Sequence, residues 1–146
     1  MWQEVISNRA LSATLISWLI AQSIKILLGL VKEKKFNFSW LITTGGMPSS
    51  HAAGVSTLAT CIGFSSGFAS SIFALSAIFA FITMFDAQTS RHSVGVQARI
   101  LNHIMDDIYF GRKISDKRLK ELVGHTPVEV FVGCILGILV AFIFYL

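Results

Sequence analysis

Apolar residues in this chain gather into long blocks instead of alternating with polar ones. Four blocks stand out, at about 10–31, 51–68, 70–85 and 128–146. Each runs for roughly 16 to 22 residues, close to the ~20 that cross a bilayer as a helix, and a helix satisfies its own backbone polar groups in lipid. The pattern predicts an all-α integral membrane bundle of about four transmembrane helices. Ser65, Ser66 and Gly67 form the turn signal between the second and third blocks, predicting a tight helical hairpin. Segments 32–50 and 87–126 then emerge on one side, and the two termini and the hairpin tip on the other. The first block is too long for a secretory h-region and carries Gln22 and Lys25 where a cleavage site needs small residues, so it reads as a retained span.

The segment 87–126 is too long to be a featureless connector. Val96, Ile100, Leu101, Ile104, Met105 and Ile108 recur at helical spacing, with Arg99, His103 and Asp106 elsewhere on the wheel, which predicts an amphipathic helix lying at the membrane interface. A second short helix is expected after it, capped by Ser115, with Leu119, Leu122 and Val123 on one face and Gly124 at its end.

Composition agrees with a membrane protein. Of the 146 residues, 53% are hydrophobic and 14% charged, and the mean hydropathy of +0.68 excludes an ordinary soluble domain. The length suits one domain covering 1–146. Ten of the twelve Lys and Arg residues fall on the side of segments 32–50 and 87–126, which by the positive-inside bias is cytoplasmic. The expected location is a bacterial inner membrane or an organelle membrane, with multiple passes. The net charge of +4 is accounted for by basic residues beside anionic lipid, with no nucleic-acid partner. Cys61 and Cys134 lie in separate apolar blocks and read as packing residues, not a disulfide or a zinc site. Gly133 and Gly137 give the last span a small-xxx-small face, which packs helices within one chain or makes a homo-oligomer.

The chemistry lies in the polar exceptions. Both prolines stand beside a histidine at a helix start. The first stretch, Gly45-Gly46-Met47-Pro48-Ser49-Ser50-His51, leads into the second span. Glycines and hydroxyl residues at a helix N-terminus make either an ordinary cap or an anion site built from backbone N–H groups and the helix dipole. The second, Gly124-His125-Thr126-Pro127-Val128-Glu129, leads into the fourth. Thr126 and Glu129 fit a capping box with Pro127 at the first helical position. His125 and Glu129 are also four apart, so the carboxylate can orient the imidazole. Lys25 within the first span, Asp86 at the end of the third and Arg91 just beyond it are the remaining costly groups. Lys25 either pairs with Asp86 or Glu129 for burial or serves a site. Two histidines, a carboxylate, cations and an N–H-rich loop on one membrane face suit phosphoryl transfer.

An ordered series along nearly the whole chain resembles the divergent branch of the type 2 phosphatidic acid phosphatase superfamily, related to vanadium haloperoxidases. It comprises Ala21-Gln22-Ser23-Ile24-Lys25, the Trp40 region, Gly45 to His51, Phe85-Asp86-Ala87 followed by Arg91 and Gly95-x-Gln97-Ala98, and Leu119 to Glu129. The wider superfamily carries the signatures K-x6-R-P, P-S-G-H and S-R-x5-H-x3-D and hydrolyses phosphate esters through a phosphohistidine without a metal or cofactor. The resemblance implies that His125 is the nucleophile, Glu129 its orienting carboxylate and His51 the general acid. It also implies a substrate-binding set of Arg91, Lys25, Ser49, Ser50, Gly46 and Asp86. The sequence departs from the signatures at Ser50, which replaces Gly, at Lys32-Glu33, which replaces Arg-Pro, and in the long separation of Arg91 from His125.

The expected function is therefore a lipid phosphate phosphatase acting at the cytoplasmic face on a phosphatidylglycerophosphate- or phosphatidic acid-like phosphomonoester, with membrane lipids as its surroundings. A polyprenyl (pyro)phosphate phosphatase, a non-enzymatic transporter component or scaffold retaining an anion site, and a metal site on His51, Asp86, His125 and Glu129 are the rival readings.

Overall fold

The computed structural model describes residues 2–34, 46–108 and 125–146, apart from the side chains of residues 2, 32, 33, 90–94 and 106–108. The described residues form five helices and no strand: α1 (Trp2–Ser7), α2 (Arg9–Glu33), α3 (Ser50–Ser66), α4 (Ser71–Ile108) and α5 (Pro127–Tyr145). The chain is an integral membrane protein. Three helical stretches among the described residues, Arg9–Val31, Ser71–Thr89 and Pro127–Tyr145, are long and apolar enough to cross a bilayer.

The remaining helix, α3, has 17 residues, about 26 Å at 1.5 Å per residue. It sits among the others, packed against α2, α4 and α5. Its buried residues are almost all small: Ala52, Ala53, Gly54, Ser56, Thr57, Ala59, Cys61 and Gly63 among them. Such residues let helix backbones approach closely where no hydrophobic force drives association in lipid. The partner surface on α5 is the Gly133/Gly137 face. A Cβ on Gly133 would collide with the Ser49 carbonyl oxygen, and one on Gly137 with Ser56 Oγ and the Ala53 carbonyl oxygen. The small-residue face is thus used inside the chain. Hydroxyls line the same seam: Thr57 Oγ1 stands 2.9 Å from the Gly137 carbonyl oxygen and Ser56 Oγ 3.2 Å from that of Cys134, each sharing its proton with a nearer carbonyl of α3, Ala53 at 2.7 Å and Ala52 at 2.6 Å. On the other flank, Ser17 Oγ of α2 donates to the Ala53 carbonyl at 3.3 Å.

The hairpin between α3 and α4 falls where the turn signal places it. Gly67 caps α3 with φ +86°, a left-handed value that favours glycine, and Ser70 Oγ accepts from Phe73 N at the start of α4. Phe64 joins this end to the end of α5 through ring contacts with Phe142 and Tyr145.

Two elements differ from the expected pattern. The short α1 has no counterpart in the four apolar blocks. More consequentially, the third span and the amphipathic helix are one continuous helix, where a break near Phe85 was expected. α4 has 38 residues, about 57 Å, against a hydrocarbon layer of about 30 Å. Residues 86–95 are polar but contain no proline, so nothing stops the helix as it leaves the apolar layer. Its extension carries Val96, Ile100 and Ile104 exposed on one side and Gly95, Ala98 and Asn102 buried on another. The short helix expected around Ser115 to Gly124 lies outside the described residues.

Gly137→Ala forces the α3–α5 seam apart, at a cost of about 1–3 kcal/mol. Thermal unfolding in detergent is expected to show a lower midpoint for this variant, and an unchanged midpoint would contradict the close packing.

Candidate functional site

The two proline-histidine stretches meet at one end of the bundle. Ser49 is the N-cap of α3, its Oγ accepting from Ala52 N at 3.4 Å. Thr126 is the N-cap of α5 in a complete capping box with Pro127 following it. The two helix starts are joined through backbone: Ser49 N donates to the Glu129 carbonyl at 3.0 Å. A third element is joined in the same way, because His125 N donates to the carbonyl of Ala87 on α4 at 3.3 Å. Ala87 lies about 24 Å along α4 from Ser71.

These joints bring the histidines together. The His51 and His125 rings are 6.1 Å apart between centroids and inclined at 64°. That separation is about two hydrogen-bond lengths. His125 is 3% exposed. Its Nδ1 lies 3.1 Å from Glu129 Oε2, and the same oxygen accepts from Thr126 N at 3.0 Å. Cap and imidazole orientation, alternatives in sequence, are performed together by one carboxylate. A carboxylate acceptor at Nδ1 selects the tautomer that carries its proton there and leaves the lone pair on Nε2.

Lys25 arrives from α2. It is 7% exposed, and its Nζ donates to Gln22 Oε1 at 3.3 Å and to Ser50 Oγ at 3.4 Å. The Ser50 hydroxyl therefore ties the buried cation to the first turn of α3. Gly46 lies along the Lys25 side chain with φ +97°, where a Cβ would stand 3.3 Å from Lys25 Cγ. The N-terminus of α3 and a buried ammonium thus lie together, a field suited to an anion.

The remaining expected residues are placed as follows. His51, His125, Glu129, Lys25, Ser49, Ser50 and Gly46 converge. Asp86 is on α4 next to Ala87 but exposed. Arg91 lies on α4, and its side chain falls outside the described residues, as do that of Lys32 and the whole of Trp40. Sequence reasoning did not single out Gln22 as a partner for Lys25, although their i, i+3 spacing allows it. It also missed the carbonyl of Ala87, for which no side-chain signal exists.

The sequence of residues 6–140 matches the model of the divergent PAP2 family. The chain belongs to this family. It is 40% identical over 153 aligned positions, covering 96% of each chain, to a Bacillus subtilis (strain 168) protein described as uncharacterized membrane protein YuiD. No solved structure matches it.

Removing the Thr126 hydroxyl deletes one half of the α5 cap, at about 1 kcal/mol. Because Glu129 also holds the imidazole, a double-mutant cycle on His125→Ala and Glu129→Ala is expected to give a coupling of about 0.5 kcal/mol or more in unfolding free energy; additive losses would contradict that second role.

Proposed function

We propose that this protein is a metal-independent lipid phosphate phosphatase working through a phosphohistidine. The observation that carries the reading is the 6.1 Å approach of His51 and His125, with Glu129 behind the second ring. His125 Nε2 attacks phosphorus in line with the ester bond. That bond breaks, its electron pair moves to the lipid oxygen, and His51 supplies the proton that makes the alcohol. Water, giving its proton to His51, then attacks the phosphorus of the phosphohistidine, releasing phosphate and restoring His125. Lys25, Ser50 and the α3 N-terminus stabilise charge on the phosphoryl oxygens. Arg91 and Asp86 belong to the substrate-binding set by family resemblance alone.

In this reading α3 makes a fourth crossing, returning through the hairpin at Gly67, and the site faces the cytoplasm. The basic residues of segments 32–50 and 87–126 support that sidedness. It favours lipid phosphomonoesters of the phosphatidylglycerophosphate or phosphatidic acid type.

Purified protein in EDTA is expected to release phosphate from such lipids, and His125→Ala and His51→Ala each to lower kcat by about 100-fold or more. Full activity in either variant, or binding of phosphate without turnover in the parent, would contradict the mechanism. Glu129→Gln keeps an acceptor for the cap but not the charge, so it is expected to lower kcat while leaving the unfolding midpoint nearly unchanged.

The nucleophile must be neutral and the acid protonated. Activity should therefore fall on the acid side as His125 gains a proton and on the alkaline side as His51 loses one. A bell-shaped kcat/KM profile is expected, and residual activity of His51→Ala should lack the alkaline limb.

A further inference from the structure

A phosphatase for lipids must hold a hydrocarbon chain while its headgroup sits among polar residues. α4 and α5 meet only narrowly, and between them lies a cavity of about 310 Å³. Its α4 wall includes Met84, Phe85 and Gln88, and its α5 wall Val130, Phe131 and Cys134. On the α4 side Phe81 and Phe85, one turn apart, stack with centroids 6.2 Å apart. Phe85 and Phe131 are 58% and 66% exposed and both belong to stretches long and apolar enough to span the membrane, so the mouth of the groove opens sideways into lipid rather than into water.

The groove also has a direction. Pro127, two residues after His125, lines one end. Gln88 lines the same end from α4, next to Ala87, whose carbonyl accepts the His125 backbone N–H. From there α5 carries the wall through Val130 and Phe131 to Cys134, two helical turns deeper. A groove with a side-chain amide at the histidine end and aromatic and aliphatic groups beyond it matches a molecule that is polar at one end and hydrocarbon at the other.

We propose that the α4–α5 groove is the binding site for an acyl chain of the lipid phosphate, which reaches His125 by sliding in laterally from the bilayer. The inference rests on the phosphatase reading for its headgroup. A methylene is similar in size to a water molecule, which takes about 30 Å³ of liquid, so the groove, open along one side, has room for about ten carbons of one chain. The second chain of a two-chain lipid stays in the bilayer, and Gln88 contacts the ester region near the headgroup.

The groove can be blocked from its α5 wall. For Val130→Trp, the ratio of kcat/KM for a dipalmitoyl lipid phosphate to that for its dibutyryl analogue is expected to fall at least 10-fold; a ratio unchanged within twofold would overturn the proposal. A second measurement does not need turnover. A lipid phosphate with a diazirine midway along one chain, photolysed in vesicles with the wild-type protein, is expected to label Met84, Phe131 or Cys134, as read by mass spectrometry. Equal labelling of exposed residues on α2 such as Leu15 and Leu19 would overturn it. Failure of the wild type to release phosphate from any lipid, with groove labelling retained, would reject the phosphatase reading and keep the chain site.

Discussion

Glu129 uses its carboxylate and its backbone carbonyl to tie the start of α5, the His125 ring and the start of α3 into one corner. The carboxylate closes the α5 cap through Thr126 N and holds His125 Nδ1. The carbonyl takes the N–H of Ser49, the N-cap of α3. The His125 ring is oriented by this residue directly, and the backbone that carries His51, two residues after Ser49, is anchored to it. Unsatisfied backbone groups at a helix end near lipid are costly. The groups that satisfy them here also fix the geometry of the site, so that rigidity and chemistry have a common origin.

That corner can form only because α3 and α5 approach closely. Gly133 faces the Ser49 carbonyl itself, so a side chain there would push away the residue whose N–H reaches Glu129. Gly137, one turn further on, meets Ser56 and Ala53. Small residues in the middle of the bundle thus govern the distance between two rings at its end. Lys25 is buried under the same arrangement, its ammonium held by Gln22 and Ser50 where an ionisable group in a span needs partners. The Ser50 side chain turns to this lysine.

Much of this was legible in the chain. The apolar blocks specify spans because lipid leaves a helix few alternatives, Gly67 marks the hairpin, and the Thr126-x-x-Glu129 pattern specifies the α5 start. Both readings of Glu129 were visible, but only the structure has one oxygen performing both. The continuity of α4 was not legible, because the polar run after Phe85 resembles a connector and polarity alone does not stop a helix without proline or a cap. The joints through the carbonyls of Glu129 and Ala87 carry no side-chain signal, since every residue has a carbonyl. The convergence of His51 with His125, which lie 74 positions apart, is a property of packing that spacing along the chain does not encode.

In the proposed reaction the paired histidines transfer a phosphoryl group through His125. The most direct measurement is to quench the protein rapidly in alkali during turnover of a lipid phosphate carrying labelled phosphorus, and to locate the label. An acid-labile, alkali-stable phosphohistidine is expected at residue 125, absent from His125→Ala and accumulating when His51 is replaced in a form that still accepts an activated ester. Phosphate release with no label on His125 at any time during turnover would contradict it.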